Sequence, residues 1–242
     1  DRPAHDWYRF VLSFPPHLVR TYLGRFGIGE GSTVLDPFCG TGTTLVECKK
    51  HGIRSVGIEA NPMAFLASKV KVDWAPDPEG LAAHAEETAG AAEAELARHG
   101  IVDQPFLGKR SRPDAELRGL SAEQECLLLR NSISPLPLHK VLVLLDAISE
   151  RRDDRYGDHE RLALAKALAG SIGNLEFGPE VGVGRVKHDA PVIGPWLGCV
   201  ESMVRDLREL HCEKDVEARV ILGDSRDVTG LLQRGSVDAV VT

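Results

Sequence analysis

Residues 33–62 constrain this chain more than any other stretch, because one short unit is written there twice. Thr33-Val34-Leu35-Asp36 is an apolar run closed by an acid. The glycine-containing turn Pro37-Phe38-Cys39-Gly40-Thr41-Gly42 follows, and then a helical stretch from Thr43 to about His51. After Gly52 the pattern returns: Ser55-Val56-Gly57-Ile58 is apolar, Glu59 closes it, and Asn61-Pro62 opens a helix to about Lys71. Apolar runs this short suit strands of a parallel sheet buried on both faces. Strand, turn, helix, strand with a right-handed crossover is the start of a doubly wound α/β fold. Ala218–Leu222, followed by Asp224, and Val237–Val241 read as two further strands of the same sheet.

Ahead of the first strand, Phe14-Pro15-Pro16 places prolines where a first helical turn tolerates them. Leu18, Val19, Tyr22, Leu23 and Phe26 then recur at helical spacing until Gly27 and Gly29. Between the second unit and the later strands lies far more chain than a βα connection needs. Ala82–Leu96, Leu138–Ile148, Leu162–Ile172 and Ile193–Leu210 all favour helices, and residues 174–190, with glycines at 178, 182 and 184, read as a loop. The expected organisation is therefore residues 1–74 as an N-terminal helix and the first half of an α/β domain, 75–212 as a helical insertion, and 213–242 as the continuation of the α/β domain.

Composition narrows the function classes. With 242 residues and 43% hydrophobic content the chain can build one substantial core with an appendage. No apolar run approaches the ~20 residues of a membrane span, and the start lacks a secretory pattern, so a cytoplasmic protein is expected. The five cysteines (39, 48, 126, 199 and 212) are scattered without metal-ligand spacing, so neither a disulfide framework nor a metal site is expected. Net charge is −7; residues 1–74 carry nine Lys/Arg against seven Asp/Glu, leaving −9 for the rest. A basic stripe of the kind that grips phosphates is absent, and only short clusters occur, Lys109-Arg110-Ser111-Arg112 and Arg151-Arg152.

Glycines at 40 and 42 let a ligand approach the backbone of the first turn closely. A Gly-x-Gly pair alone is equally well explained by tight strand-to-helix packing. Glu59 adds weight: it ends the next strand, 23 residues after Asp36, where an acid meets ribose hydroxyls in doubly wound nucleoside-binding folds. A nicotinamide fingerprint would need a third glycine where Leu45 stands. Cys39 has no His or Lys close in sequence to activate it as a nucleophile.

At these residues the sequence resembles the amino-directed DNA methyltransferases, which modify N6 of adenine or N4 of cytosine. Asp36-Pro37-Phe38-Cys39-Gly40-Thr41-Gly42-Thr43-Thr44 is similar to their signature Asp-Pro-Phe-x-Gly-x-Gly-Thr-Thr. Gly57-Ile58-Glu59-Ala60-Asn61-Pro62 resembles the strand whose acid holds the ribose, and Ser13-Phe14-Pro15-Pro16-His17-Leu18-Val19 the segment around the methionine end of the cofactor. Gly223-Asp224-Ser225 is similar to the third strand end, where Asp224 would meet the adenine amine.

The resemblance implies a Rossmann-like S-adenosylmethionine-dependent fold. The cofactor contacts it implies are Phe14, Pro15, Asp36, Pro37, Phe38, Cys39, Gly40, Thr41, Gly42, Thr43, Thr44, Glu59, Ala60, Asn61, Asp224 and Ser225. It also implies that a Ser/Asn/Asp-Pro-Pro-Tyr tetrapeptide follows Thr242, so no catalytic residue is assigned within the 242, and this stretch by itself is expected to be inactive. DNA is the implied partner, in a restriction-modification or phage-defence setting, with a complementing chain or a second copy as further candidates.

A flipped base requires a DNA-gripping element, for which Lys109, Arg110 and Arg112, or Arg185, Lys187 and His188, are candidates. Solvated surface is the plainer reading of both clusters. His17, His139, His159 and His211 show no partner pattern and read as ordinary. Trp7, Tyr8 and Phe10 read as packing groups, and Trp196 with Met203 as one buried helix face. Two other readings stay open: an RNA guanine-N2 methyltransferase, whose cofactor turn is similar, and a non-catalytic cofactor-binding or scaffold subunit.

Overall fold

The structure is a computed structural model and describes residues 3–9, 13–104, 116–178, 180–210 and 216–242. In chain order the elements are α1 (Pro16–Arg25), β1 (Thr33–Asp36), α2 (Thr43–Lys50), β2 (Arg54–Glu59), α3 (Pro62–Lys71), α4 (Pro78–Arg98), the single turn α5 (Ala122–Glu125), α6 (Pro135–Glu150), α7 (Gly157–Ala167), β3 (Leu175–Phe177), β4 (Val181–Val183), α8 (Ile193–Leu210), β5 (Ala218–Leu222), the short α9 (Val228–Leu231) and β6 (Ala239–Val240). They divide into two compact units, residues 1–76 with 205–242, and residues 77–204.

The first unit is a Rossmann-like α/β layer. Its four strands run in the order β5-β2-β1-β6, all parallel. Val34 stands opposite Ser55 and Asp36 opposite Gly57, while Glu59 stands opposite Leu222. That register brings the acid-bearing ends of β1, β2 and β5 to one edge of the sheet, the edge where open parallel sheets bind ligands. Helix α1 starts on Pro16 at its first turn, and α3 is capped by Asn61, whose side chain accepts the N–H groups of Met63 and Ala64. Val19 and Leu23 of α1, Val34 of β1, and Cys48 and Ile53 form a buried cluster against which Ala239 and Val241 pack. Each large aliphatic buried there contributes roughly 1.5–3 kcal/mol. Trp7 is fully buried and donates to Asp206 Oδ2 at 2.8 Å, so it is a packing group, as its type suggested.

The second unit is helical. Helix α4 is capped by Asp77, which accepts the Gly80 N–H at 2.6 Å, and it buries Leu81, Ala85, Ala89, Ala92 and Leu96 on one face against α6. The alanines matter because small side chains let two helices approach closely. Helix α8 buries Trp196, Val200, Met203 and Leu207, the expected stripe at helical spacing. No helix among the described residues is long and apolar enough to cross a membrane.

Two expectations need correction. Residues 174–190 are not simply a loop: β3 and β4 pair antiparallel as a small hairpin, Leu175 opposite Val183 and Phe177 opposite Val181. Three-residue strands interrupted by glycine are too short to show a period. The helix expected to end at Ile172 widens over Leu168–Ile172 into a π-type turn before Gly173 stops it.

Candidate functional site

The site is built on the turn from β1 to α2. Asp36 ends β1 and is buried; its Oδ1 accepts the Phe38 N–H at 3.2 Å. The chain then turns through Cys39, whose N–H reaches Ile58 O at 3.1 Å and so pins the turn to β2. Gly40 and Gly42 both lie in left-handed backbone, φ 52° and 83°. Their surroundings differ. A Cβ on Gly42 would stand 3.0 Å from the Ser68 Cβ, so this glycine lets α3 approach the turn, whereas nothing lies within 4 Å of the position a Gly40 Cβ would take. The space beside Gly40 is open for a ligand.

Glu59 holds this turn in shape. Its Oε2 accepts the Gly40 N–H and its Oε1 accepts the Asn61 N–H, both at 2.8 Å. Gly223 N–H donates to the Glu59 carbonyl at 3.0 Å, which sets Asp224 beside the β2 end. The expected cofactor residues on three strand ends are thereby brought together. Asp224 is less available than its position suggests. Both its oxygens accept from Arg226, and that hydrogen-bonded pairing lowers the Asp224 carboxyl to about 2. Exposed pairs of this kind contribute little and open readily. Ala60 is exposed, and Ser225 begins a short 3₁₀ turn capped by Asp224.

Burial pushes the Asp36 carboxyl above the usual carboxylate range. The Thr44 and Thr242 side chains and the Phe38 N–H pull against that rise, while the Glu59 charge adds to it. No hydrogen bond of normal geometry reaches Asp36 Oδ2 or Thr44 Oγ1 among the described residues, though both atoms are buried. An acceptor left in that state costs about 1–3 kcal/mol unless a ligand satisfies it. Cys39 is buried and its thiol is pushed up to about 12, chiefly by burial and next by Asp36, so it is inert as a nucleophile at neutral pH.

Phe14, Pro15, Thr41 and Thr43 line one cavity of about 360 Å³, and Pro37 and Phe38 stand at the turn, with Phe38 70% exposed. Ser13 and Pro16 line it too, and sequence reasoning missed the remaining three, His5, Arg9 and Lys71. It also missed what anchors the chain on this side: Glu47 of α2 binds His5 Nε2 at 2.6 Å and Arg20 Nη1 at 2.7 Å. Burial alone would raise Glu47, but those two hydrogen bonds hold it below its ordinary value. The one available signal was spacing. Ala64, Ala67, Ser68 and Lys71 share the buried face of α3, so a lysine stood where a core residue was due.

Of the candidate DNA-gripping groups, Lys109, Arg110 and Arg112 lie outside the described residues, as do Phe10 and His211. Lys187 Nζ donates to the carbonyls of Ser171 and Gly173 at 2.9 and 2.6 Å, so its charge serves its own loop. His139 is not the unpartnered histidine expected. Its Nδ1 accepts the Arg118 N–H at 2.9 Å and its Nε2 faces His99 Nδ1 at 3.3 Å. Both partners are far away in sequence, which is why spacing did not reveal them.

Part of the chain is similar in sequence to known proteins. Residues 5–69, which carry α1, the glycine turn, β2 and most of α3, match the family model described as DNA methylase, of the N6/N4 class. That stretch is similar to that family. The chain is 40% identical over 71 residues to the Type II methyltransferase M.BsoBI of Geobacillus stearothermophilus, covering 29% of this chain and 14% of that protein. It is 41% identical over 70 residues to M.MjaII of Methanocaldococcus jannaschii, covering 28% and 13%. It is also 43% identical over 58 residues to a tRNA (guanine(10)-N2)-dimethyltransferase of Methanothermobacter thermautotrophicus, covering 24% and 17%. The chain thus spans about a seventh of the length of these Type II methyltransferases.

Proposed function

We propose that this protein is an S-adenosylmethionine-dependent DNA methyltransferase acting on an exocyclic amine, adenine N6 or cytosine N4, and that the first unit is its cofactor-binding half. The observation that carries the reading is the turn at Gly40: left-handed, open where a side chain would stand, and tied by its N–H to the acid that ends the neighbouring strand. The residues fit the cofactor. Asp36 offers a buried oxygen in want of a donor, which suits an ammonium. Glu59 uses its oxygens on backbone N–H groups and keeps further lone pairs for a ribose diol. Asp224 stands at the third strand end, where the adenine amine could replace Arg226. Phe14, Pro15, Thr41 and Thr43 wall the side cavity, and Pro37, Phe38, Ala60, Asn61 and Ser225 frame the opening.

When bound, the cofactor supplies a sulfonium methyl group. What these residues contribute is position. They hold the donor against a rigid strand edge so that an amine whose lone pair is delocalised into its ring meets the methyl group in line. An ammonium beside Asp36 would oppose the rise that burial imposes on its carboxyl. The helical second unit, residues 77–204, is assigned in this reading as an inserted module, with restriction-modification or defence as the setting.

A second reading, methylation of guanine N2 in RNA, is favoured by the likeness to the tRNA dimethyltransferase. Incubation of the protein, supplemented with a segment carrying the Ser/Asn/Asp-Pro-Pro-Tyr tetrapeptide, with tritiated cofactor and either mixed-sequence duplex DNA or total tRNA separates the two. Label in N6-methyladenine or N4-methylcytosine is expected. Label in tRNA alone would replace the DNA reading, and none in either would leave a cofactor-binding subunit.

A further inference from the structure

We infer that His99 and His139 form a proton-operated latch in the helical unit: with both rings neutral it holds the chain at Arg118 against α6, and one added proton releases it. The latch lies wholly within residues 77–204 and does not depend on the cofactor reading.

The direction of its hydrogen bonds is set by the main chain. The Arg118 backbone N–H donates to His139 Nδ1 at 2.9 Å. Such a group can only donate, so Nδ1 presents a bare lone pair and the proton of the neutral ring stands on Nε2. That Nε2 faces His99 Nδ1 at 3.3 Å, which is therefore the acceptor. The proton of the neutral His99 ring then stands on its own Nε2, 3.3 Å from Glu95 Oε1. The row thus runs one way, from Arg118 through His139 and His99 to a carboxylate. His139 is 1% exposed, so a partner lost there is not replaced by bulk water.

A further proton has no place in that row. On His99 Nδ1 it would set two N–H groups against each other, and on His139 Nδ1 it would confront the Arg118 N–H. The surrounding charges decide which site fills. Glu95 of α4, whose other oxygen pairs with Arg98, favours a charge on His99. Burial, then His99 and Arg118, lower the His139 imidazole below its ordinary value. The proton therefore goes to His99. His139 keeps that neighbour only by accepting from it, which moves its own proton to Nδ1 and expels the Arg118 N–H. What still ties Arg118 to α6 is its guanidinium on Asp146, an exposed pair of the kind that contributes little. Leu120, two residues on, shares with Leu128, Leu129 and Leu138 the wall of a cavity of about 300 Å³, so release at Arg118 loosens that wall.

Nitrogen-15 NMR of the full chain tests both the resting state and the release. At pH 7.5 the ring nitrogens of both histidines are expected to report the Nε2–H tautomer. Between pH 7.5 and 5.5 the exchange protection of the Arg118 amide, taken relative to a free peptide at each pH, should fall about three- to tenfold in step with protonation of His99, the worth of one hydrogen bond. The Val143 amide, inside α6, should stay within about twofold and shows that the fold persists. His99→Asn keeps an acceptor for His139 but takes up no proton, and its Arg118 protection should stay within about twofold. A proton on His139 Nδ1 at pH 7.5, Arg118 protection that stays flat through the His99 titration, or an equal fall in His99→Asn overturns the latch. If that variant does not fold, the two wild-type measurements decide.

Discussion

A methyl group placed on Gly57 would meet Cys39 Sγ at 2.7 Å and Leu45 Cδ2 at 2.8 Å, both held by the packing of the turn and α2. Gly57→Ala is expected to destabilise the protein by about 1–3 kcal/mol, as overpacking does, read as a shift in the urea midpoint. An unchanged midpoint would mean that the turn is looser than described. Gly57 was visible in the sequence only as part of a strand, because close approach from two other elements leaves no local trace. Gly40 and Gly42, by contrast, were legible at once from their spacing after an acid. His5 belongs with the illegible group. Burial and two lysines lower it below its ordinary value, about 6.5, so the folded chain resists the proton that the unfolded chain accepts. Stability from this residue should therefore fall as pH drops from about 6.5 toward the lowered folded value. Urea midpoints between pH 7.5 and 5.5 should fall more steeply for wild type than for His5→Gln, and parallel slopes would contradict it.

At the scale of elements, the start of α8 depends on one carboxylate. Asp103 accepts the Val192 N–H at 2.9 Å and the Ile193 N–H at 2.8 Å, and lies 3.4 Å from the buried Lys140 ammonium. Lys140 keeps Asp189 at 2.6 Å if Asp103 is removed, which limits the damage. Asp103→Ala is expected to cost about 2–4 kcal/mol in equilibrium unfolding, and a loss under about 0.5 would show that the cap is dispensable. Helices α1 to α4, α6 and α8 were legible because capping residues, prolines and apolar spacing agree over ten or more residues in most of them. The β3–β4 hairpin and the π turn were not, because each is set by a few residues whose pattern fits a loop or a regular helix equally well.

Across the whole molecule, the parallel sheet and its three acid-bearing strand ends followed from the repeated strand–turn–helix unit. The cavity floor did not. His5, Pro16, Thr41 and Lys71 come from four separate segments, and only the folded chain brings them to one place. Direct titration with S-adenosylhomocysteine, wild type beside Glu59→Ala, reaches the central claim with the fewest assumptions. Saturable binding that weakens about 100-fold or more in Glu59→Ala is expected, since that change removes a charged acceptor and releases the Gly40 N–H that shapes the turn. A folded wild-type chain that produces no binding heat at any temperature tried, and no shift in melting with ligand, would contradict the claim that this sheet edge is a cofactor site.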